Sequence, residues 1–385
     1  MTAERKPRVA LVHDWLETPG GAELVLKELL AVFPGADIFT MIDQRSPEHR
    51  DSLGNARITT SWLQKIRGIK RSYRSWLPAM PLALRSLDVS NYDIVISNSH
   101  AVAKGIRTHK RQLHICYCLS PMRYAWDLKA QYLHEAGLDH GAKGMLASAM
   151  LERMRRWDLA NTRGVNAFAT LSNYIAARIE RAYGRSSVVI YPPVDTEYFT
   201  PGDAPRENFF VTSSRFVPYK RVDMIVAALR MIADRKLVVI GDGPDEQKIR
   251  AAAGGNVEFA GRLTREEVRG YLRRARAYLY AAEEDFGIAP VEAQACGTPV
   301  IAFGRGGVTE TIRGLDDAAP TGILYAEQTA ESLAAAIRQF ELLKTPIGAA
   351  RCRENALRFK AETFRDEMRA FVTARDEEFR VSAGR

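Results

Sequence analysis

The chain has 385 residues, 46% of them hydrophobic and 26% charged, which suits two globular domains and excludes a disordered tail or a disulfide-stapled miniprotein. Its four cysteines, Cys116, Cys118, Cys296 and Cys352, form no CxxC pair, arguing against zinc ribbons and thioredoxin-like chemistry. The charge is lopsided: residues 1–190 carry 27 Lys+Arg against 17 Asp+Glu, residues 191–385 carry 28 against 29, and residues 51–190 alone reach +12, a field suited to a polyanion or an anionic membrane.

Arg8–Val12 reads as a short apolar strand. The charged residues before it do not resemble a secretory leader. Gly20-Gly21 breaks the chain, and Ala22–Phe33 follows as a helix with Val25, Leu29, Val32 and Phe33 on one face. Ile38–Ile42, Tyr92–Ser97, His114–Leu119 and Asn166–Leu171 are strand candidates. The longest uncharged stretch, Gly164–Ala177, is 14 residues, short of the roughly 20 apolar residues of a membrane span; a cytoplasmic protein is expected. Tyr191-Pro192-Pro193 marks a boundary, because proline leaves the residue before it extended. Beyond it come the strand Phe209–Ser213, the helix Arg221–Ile232, and the strand Leu237–Ile240 ended by Gly-Asp-Gly-Pro. The strand Val257–Ala260 is followed by a capping box at Thr264–Glu267 that opens a helix to Ala275. Tyr278–Tyr280, Val300–Phe303 and Ile323–Tyr325 complete the strands. Alternating strands and helices predict an α/β protein with parallel sheets and ligands outside the strands' carboxyl ends.

Three patterns carry chemistry. Glu284 and Glu292 flank a strand-to-helix turn, Phe286-Gly287-Ile288-Ala289, whose free N–H groups suit a phosphate or sugar hydroxyl. Glu292, inside the new helix, suits a ribose diol. Ser214–Arg221 follows the first strand of the second half, and its Arg215 and Lys220 offer a forked contact and a point charge to a diphosphate. Gly20-Gly21 lets backbone approach a phosphate. Each pattern alone also fits solvated surface residues or a tight turn.

In order and spacing, Gly20-Gly21-Ala22-Glu23, Ile190–Asp195, Arg215 with Lys220, and Glu284…Glu292 resemble glycosyltransferase family 4, of GT-B fold. Pro121–Asp127 and Val217–Arg221 resemble a bacterial surface-polysaccharide subgroup that includes GDP-mannose users. The resemblance covers nearly the whole chain. It implies two Rossmann-like domains facing across a cleft: residues 1–191 for the acceptor, residues 192–360 for the nucleotide sugar, and residues 361–385 as a helix crossing back. It implies that Arg215 and Lys220 hold the diphosphate, Glu292 the ribose, and Glu284 a hydroxyl of the transferred sugar. Backbone at Phe286, Gly287, Ile288 and Ala289 would contact sugar and phosphate, Gly21 the phosphate, and Arg262-Leu263 the base. The family is retaining. No cofactor and no metal site are expected, since positive side chains can stabilise the leaving diphosphate. One departure stands out: the family histidine after the strand at Ile115–Cys118 is Leu119 here, which makes His100 a candidate in its place.

Trp62, Ile66, Ile69, Tyr73 and Trp76 recur at steps of four and three, with Lys65, Arg67, Lys70, Arg71 and Arg74 between them. This predicts a basic amphipathic helix over Trp62–Leu77, suited either to an anionic membrane or to core packing under a solvated basic face. The function expected is hexosyl transfer, first from GDP-mannose, onto a lipid-linked or oligosaccharide acceptor in cell-surface polysaccharide synthesis, peripheral on the inner face of the cytoplasmic membrane. UDP-sugar-dependent transfer of glucose, galactose or N-acetylglucosamine is the alternative. An NAD-dependent oxidoreductase lacks its GxGxxG, and no nucleic-acid motif accompanies the basic charge.

Overall fold

The structure, a computed structural model, describes residues 7–17, 20–127, 129–135, 137–138 and 140–382. It divides into two compact units, one made of residues up to Pro193 together with Phe364 onward, the other of Val194–Thr363.

The first unit holds a seven-stranded parallel sheet in the order β3-β2-β1-β4-β5-β6-β7. Its strands are β1 (Val9–His13), β2 (Asp37–Thr40), β3 (Ile58–Thr60), β4 (Ile94–Ser99), β5 (Leu113–Cys118), β6 (Ala167–Thr170) and β7 (Val188–Val189). The central strands β1, β4 and β5 are buried along their whole length, which is why their apolar residues come in runs rather than alternating with exposed polar ones. The edge strands β3 and β7 are short and partly exposed, too brief and too polar to leave a pattern in the sequence. The helix Ala361–Ser382 buries Phe364, Met368 and Val372 in this unit. Phe364 meets the Tyr117 ring edge-on at 5.6 Å, and Arg365 donates to Glu28 at 2.7 Å.

The second unit holds a six-stranded parallel sheet in the order β10-β9-β8-β11-β12-β13. Its strands are β8 (Phe209–Ser213), β9 (Lys236–Ile240), β10 (Val257–Gly261), β11 (Ala277–Tyr280), β12 (Val300–Phe303) and β13 (Gly322–Tyr325). One face of the sheet packs on the helices Val222–Arg230 and Ala330–Glu341. The Thr264 capping box forms as expected, with the hydroxyl accepting from Glu267 N–H and the Glu267 carboxylate accepting from Thr264 N–H. In each sheet the strand order reverses once, between β1 and β4 and between β8 and β11. Such a switch point opens a crevice at the strands' carboxyl ends.

The Trp62–Leu77 segment corrects the sequence reading, because it is not one helix. It runs as a 3-10 turn at Trp62–Lys65, one α turn at Ile69–Ser72 and a second 3-10 stretch at Tyr73–Ala79. Gly68 sits in the left-handed region at φ 78° and breaks the helical path, and Pro78 cannot extend it. Leu63, Ile69 and Tyr73 are buried, and Ile66, Trp76 and Leu77 pack against the same core. The apolar stripe is therefore mostly core. Trp62, Lys65, Lys70 and Arg74 remain exposed, with Arg74 paired to Glu17 at 3.3 Å. The side chain of Arg71 lies outside the described residues.

Candidate functional site

In the second unit the site is built at the β8/β11 switch. The loop leaving β8 carries Arg215 and Lys220, and the loop leaving β11 carries Glu284. Lys220 Nζ donates to Glu284 Oε2 at 2.6 Å, both side chains being 18% exposed. Burial alone would lower the Lys220 pKa, but the Glu284 charge and hydrogen bond reverse this and raise it, so the ammonium is held charged. Lys220 Nζ also lies over the rings of Tyr219 and Tyr280, 5.7 and 5.9 Å from their centroids. Arg215 is exposed on the same loop and makes no ion pair among the described residues.

Both loops are clamped from beneath by glycines. A Cβ on Gly241 would lie 1.9 Å from the Ser214 carbonyl oxygen, and a Cβ on Gly306 would lie 2.4 Å from that of Glu284. No side chain fits either place, and both glycines adopt positive φ, 128° and 81°. Gly307 N–H donates to Glu284 O at 2.8 Å, and Phe216 N–H to Asp242 O at 2.7 Å. The sequence shows Gly-Asp-Gly-Pro only as a strand terminator, and Arg305-Gly306-Gly307 did not stand out at all. Arg221, at φ 53°, is the non-glycine residue with positive φ among those described. Its guanidinium reaches Gln328 at 3.3 Å and Asp223 at 3.7 Å, holding the turn that presents Lys220.

Glu292 lies on the helix Ile288–Ala295, whose N-cap is Gly287. Burial raises its carboxyl pKa to about 7, with Arg265 opposing and Asp195 adding to the shift. Arg265 and Asp195 pair with each other at 2.8 Å. The Glu292 carboxylate makes no hydrogen bond or ion pair among the described residues. The Tyr278 hydroxyl donates to Ser213 O at 2.8 Å, and its pKa is pushed up by burial, with Lys220 opposing the shift and Glu292 and Glu284 adding to it. Ser214 Oγ and Tyr280 Oη are buried with no hydrogen-bond partner among the described residues, and neither was expected from sequence. Phe286 is buried and packs edge-on against Phe359 at 5.3 Å, so it offers backbone only. Ile288 and Ala289 are half-buried at the helix start, while Arg262 is exposed and Leu263 half-buried just past β10. Among the described residues no group of His, Cys, Asp and Glu is placed to hold a metal ion.

In the first unit the β1/β4 switch is organised by Asp14, which the sequence reading missed. Its carboxylate accepts from the backbone N–H groups of His100, Ala101, Val102 and Ala103 at 2.7, 2.9, 2.6 and 2.7 Å. His100 Nδ1 lies 3.2 Å from the same carboxylate, with its side chain one-third exposed and its ring edge-on to Trp15. Burial would raise the Asp14 pKa, but His100, Lys104 and the backbone donors pull it below the usual carboxylate value. Beneath the loop, Lys104 and Asp158 form a fully buried pair at 2.8 Å, with Trp126 and Tyr183 donating to Asp158. Gly21 opens the helix Gly21–Val32 and is exposed. Beside it Asn98 donates to Ala22 O at 2.8 Å. Leu119, where the family histidine was sought, is a buried core residue.

Residues 194–359 match the family described as Glycosyl transferases group 1. That stretch is similar to group 1 glycosyl transferases. Among curated proteins, a GDP-mannose-dependent monoacylated alpha-(1-6)-phosphatidylinositol monomannoside mannosyltransferase of Corynebacterium glutamicum is 30% identical over 213 residues, 48% of this chain and 54% of that protein. The chain thus spans about half the length of this relative. Among solved structures, a sucrose-phosphate synthase from Thermosynechococcus elongatus aligns over 96% of this chain and 99% of its own, at 20% identity and a TM-score of 0.71. HepE from Anabaena in complex with UDP aligns over 95% and 100%, at 17% identity and a TM-score of 0.70. These likenesses establish the GT-B fold for both units. The matched family region is the unit that holds the Lys220–Glu284 pair and Glu292.

Proposed function

We propose that the protein is a retaining glycosyltransferase that moves a hexose, in the first place mannose from GDP-mannose, onto a lipid-linked saccharide acceptor in surface-polysaccharide synthesis. The observation that carries this reading is the Lys220–Glu284 pair at the β8/β11 switch, with the unpaired Arg215 beside it and Glu292 within the same electrostatic reach. Arg215 and Lys220 face the diphosphate. As the glycosidic bond breaks, negative charge grows on the leaving phosphate, and a preorganised ammonium and guanidinium stabilise that charge more than the ground state. Glu284 holds Lys220 in place and accepts from a sugar hydroxyl. The Glu292 carboxylate, with no internal partner, accepts from the two ribose hydroxyls. The backbone N–H groups at Gly287–Ala289 take the sugar and phosphate oxygens, and Arg262-Leu263 the base. The acceptor attacks from the face the diphosphate leaves, and that phosphate takes its proton, so no protein base is needed. In the first unit, His100, held by Asp14, and Gly21 are the candidates to bind the acceptor. No helix among the described residues is long and apolar enough to cross a membrane. The exposed Trp62, Lys65, Lys70 and Arg74 supply contacts to an anionic membrane surface.

A thermal-shift panel of nucleotide sugars tests the donor. GDP-mannose should raise the melting temperature more than GDP-glucose or any UDP-sugar. Stabilisation by UDP-glucose, UDP-galactose or UDP-N-acetylglucosamine alone would replace the mannosyl assignment, and stabilisation by NADH alone would remove the transferase one.

A further inference from the structure

The helix Gly141–Asn161 carries an apolar face that nothing in the described chain covers. Its buried side is Gly144, Leu151, Met154 and Asp158. On the other side Met145 is 76% exposed, Leu146 73% and Met150 38%. At about 100° per residue, Ala142, Met145, Leu146, Ala149 and Met150 fall within a sector of about 140°, so they form one surface. Large apolar side chains this open, side by side, mark an interaction face rather than scattered surface residues.

The charges around that face are ordered along the helix. The first three turns present the apolar residues, flanked by the exposed Lys143, and the next turn presents Arg153 and Arg156. Arg156 is shared with Glu152 at 3.5 Å, while Lys143 and Arg153 pair with no acid among the described residues. An apolar end followed by a basic collar matches the depth profile of a bilayer surface, with acyl chains below and phosphates above. A groove of about 680 Å³ beside the face is walled by Leu133, Leu138 and Met145, with Lys129, Arg156 and one acid, Glu152, also lining it. That combination suits a lipid tail with an anionic headgroup.

We propose that the N-terminal half of the Gly141–Asn161 helix inserts its Met145–Leu146–Met150 face into the surface of an anionic bilayer. The inference rests on the membrane reading above and moves the inserting element away from Trp62–Leu77, whose apolar stripe is core. Methionine suits the role, being flexible and unbranched.

The test uses the full chain and vesicles of phosphatidylcholine with or without phosphatidylglycerol. Wild type should float with the phosphatidylglycerol vesicles. The variant Met145→Ser/Leu146→Ser/Met150→Ser should bind them at least roughly tenfold more weakly, because most of the inserting apolar area is lost. Its melting temperature and nucleotide-sugar stabilisation should stay as in wild type, since these side chains are already exposed. Equal flotation of wild type and variant overturns the inference and leaves the membrane reading standing through Lys65, Lys70 and Arg74. Failure of wild type to float overturns both. Self-association of wild type that the variant abolishes also overturns it, assigning the face to a second copy.

Discussion

The raised carboxyl of Glu292 makes nucleotide binding dependent on pH in a defined way. Its pKa of about 7 against an ordinary 4.5 means that burial disfavours the charged form by about 3 kcal/mol. Ribose hydroxyls donate to a carboxylate, so binding draws on the ionised form and releases a proton from the rest. With a free-state pKa near 7, the apparent affinity at pH 6 should be about tenfold lower than at pH 8, and flat above pH 8. The assay is calorimetric titration of GDP into wild type and Glu292→Gln from pH 5.5 to 8.5. Titration of the nucleotide phosphate is common to both proteins and cancels in their difference. Glu292→Gln should bind about tenfold or more weakly at pH 8, where a charge-assisted contact worth about 1.5–3 kcal/mol is lost, and should lose the pH-dependent component. The linkage also runs through stability. A folded-state pKa above the unfolded one stabilises below about pH 4.5, and that contribution is lost as pH rises through 7. Without nucleotide, Glu292→Gln should therefore melt higher than wild type at pH 8 and match it near pH 4. Identical affinity–pH curves for the two proteins would refute the ribose assignment.

Lys220→Ala should lower turnover at saturating donor by about a hundredfold or more while changing donor affinity less, because the ammonium acts on charge that grows in the transition state; steady-state kinetics with a soluble acceptor analogue decide it, and near-normal turnover would contradict it. Treatment with EDTA should leave activity intact, as the positive side chains do a metal's work; inhibition reversed by added divalent cation would overturn that. Gly241→Ala and Gly306→Ala each place a methyl 1.9–2.4 Å from a loop carbonyl, so both should weaken donor binding more than tenfold by displacing the Arg215 or Glu284 loop, and calorimetry would detect normal affinity if the clamp were dispensable. Asp14→Ala strands four backbone donors at roughly 1 kcal/mol or more each, and the melting temperature should fall by about 10 °C. Because the Asp14 pKa is depressed below 3.8, this stabilisation is present above that pH and is lost as pH falls through the lower, folded value; wild type and variant should therefore converge in acid.

The second unit was largely readable from sequence because most of its strands, the edge strand β10 apart, are buried apolar runs and its helices are bounded by clear caps and glycines. Phe209–Ser213 and Val300–Phe303 have the expected bounds. Chemistry there sits on the turns leaving β8 and β11, so Arg215, Lys220 and Glu284 could be found by their place after a strand. The clamps could not, because Gly241 and Gly306 act through contacts with residues 27 and 22 positions away, and short-range pattern carries no such pairing. Asp14 was missed for a related reason: its four partners lie 86 to 89 positions on. Trp62–Leu77 misled because steps of four and three describe any chain that turns the same side chains inward, and three short helical turns around Gly68 do so as well as one helix. The open face of Gly141–Asn161 left no signal, since Met and Leu on a helix read as core until their exposure is known.

The central claim is that the Lys220–Glu284 site moves a hexose from a nucleotide to a lipid-linked acceptor. The most direct measurement incubates GDP-[14C]mannose with membranes and purified wild type or Lys220→Ala, extracts with organic solvent and follows the label. Wild type should transfer mannose into the lipid fraction with the α configuration of the donor retained, and Lys220→Ala should not. Absence of label in any acceptor from GDP-mannose and from every UDP-sugar, or equal transfer by the variant, would contradict the account.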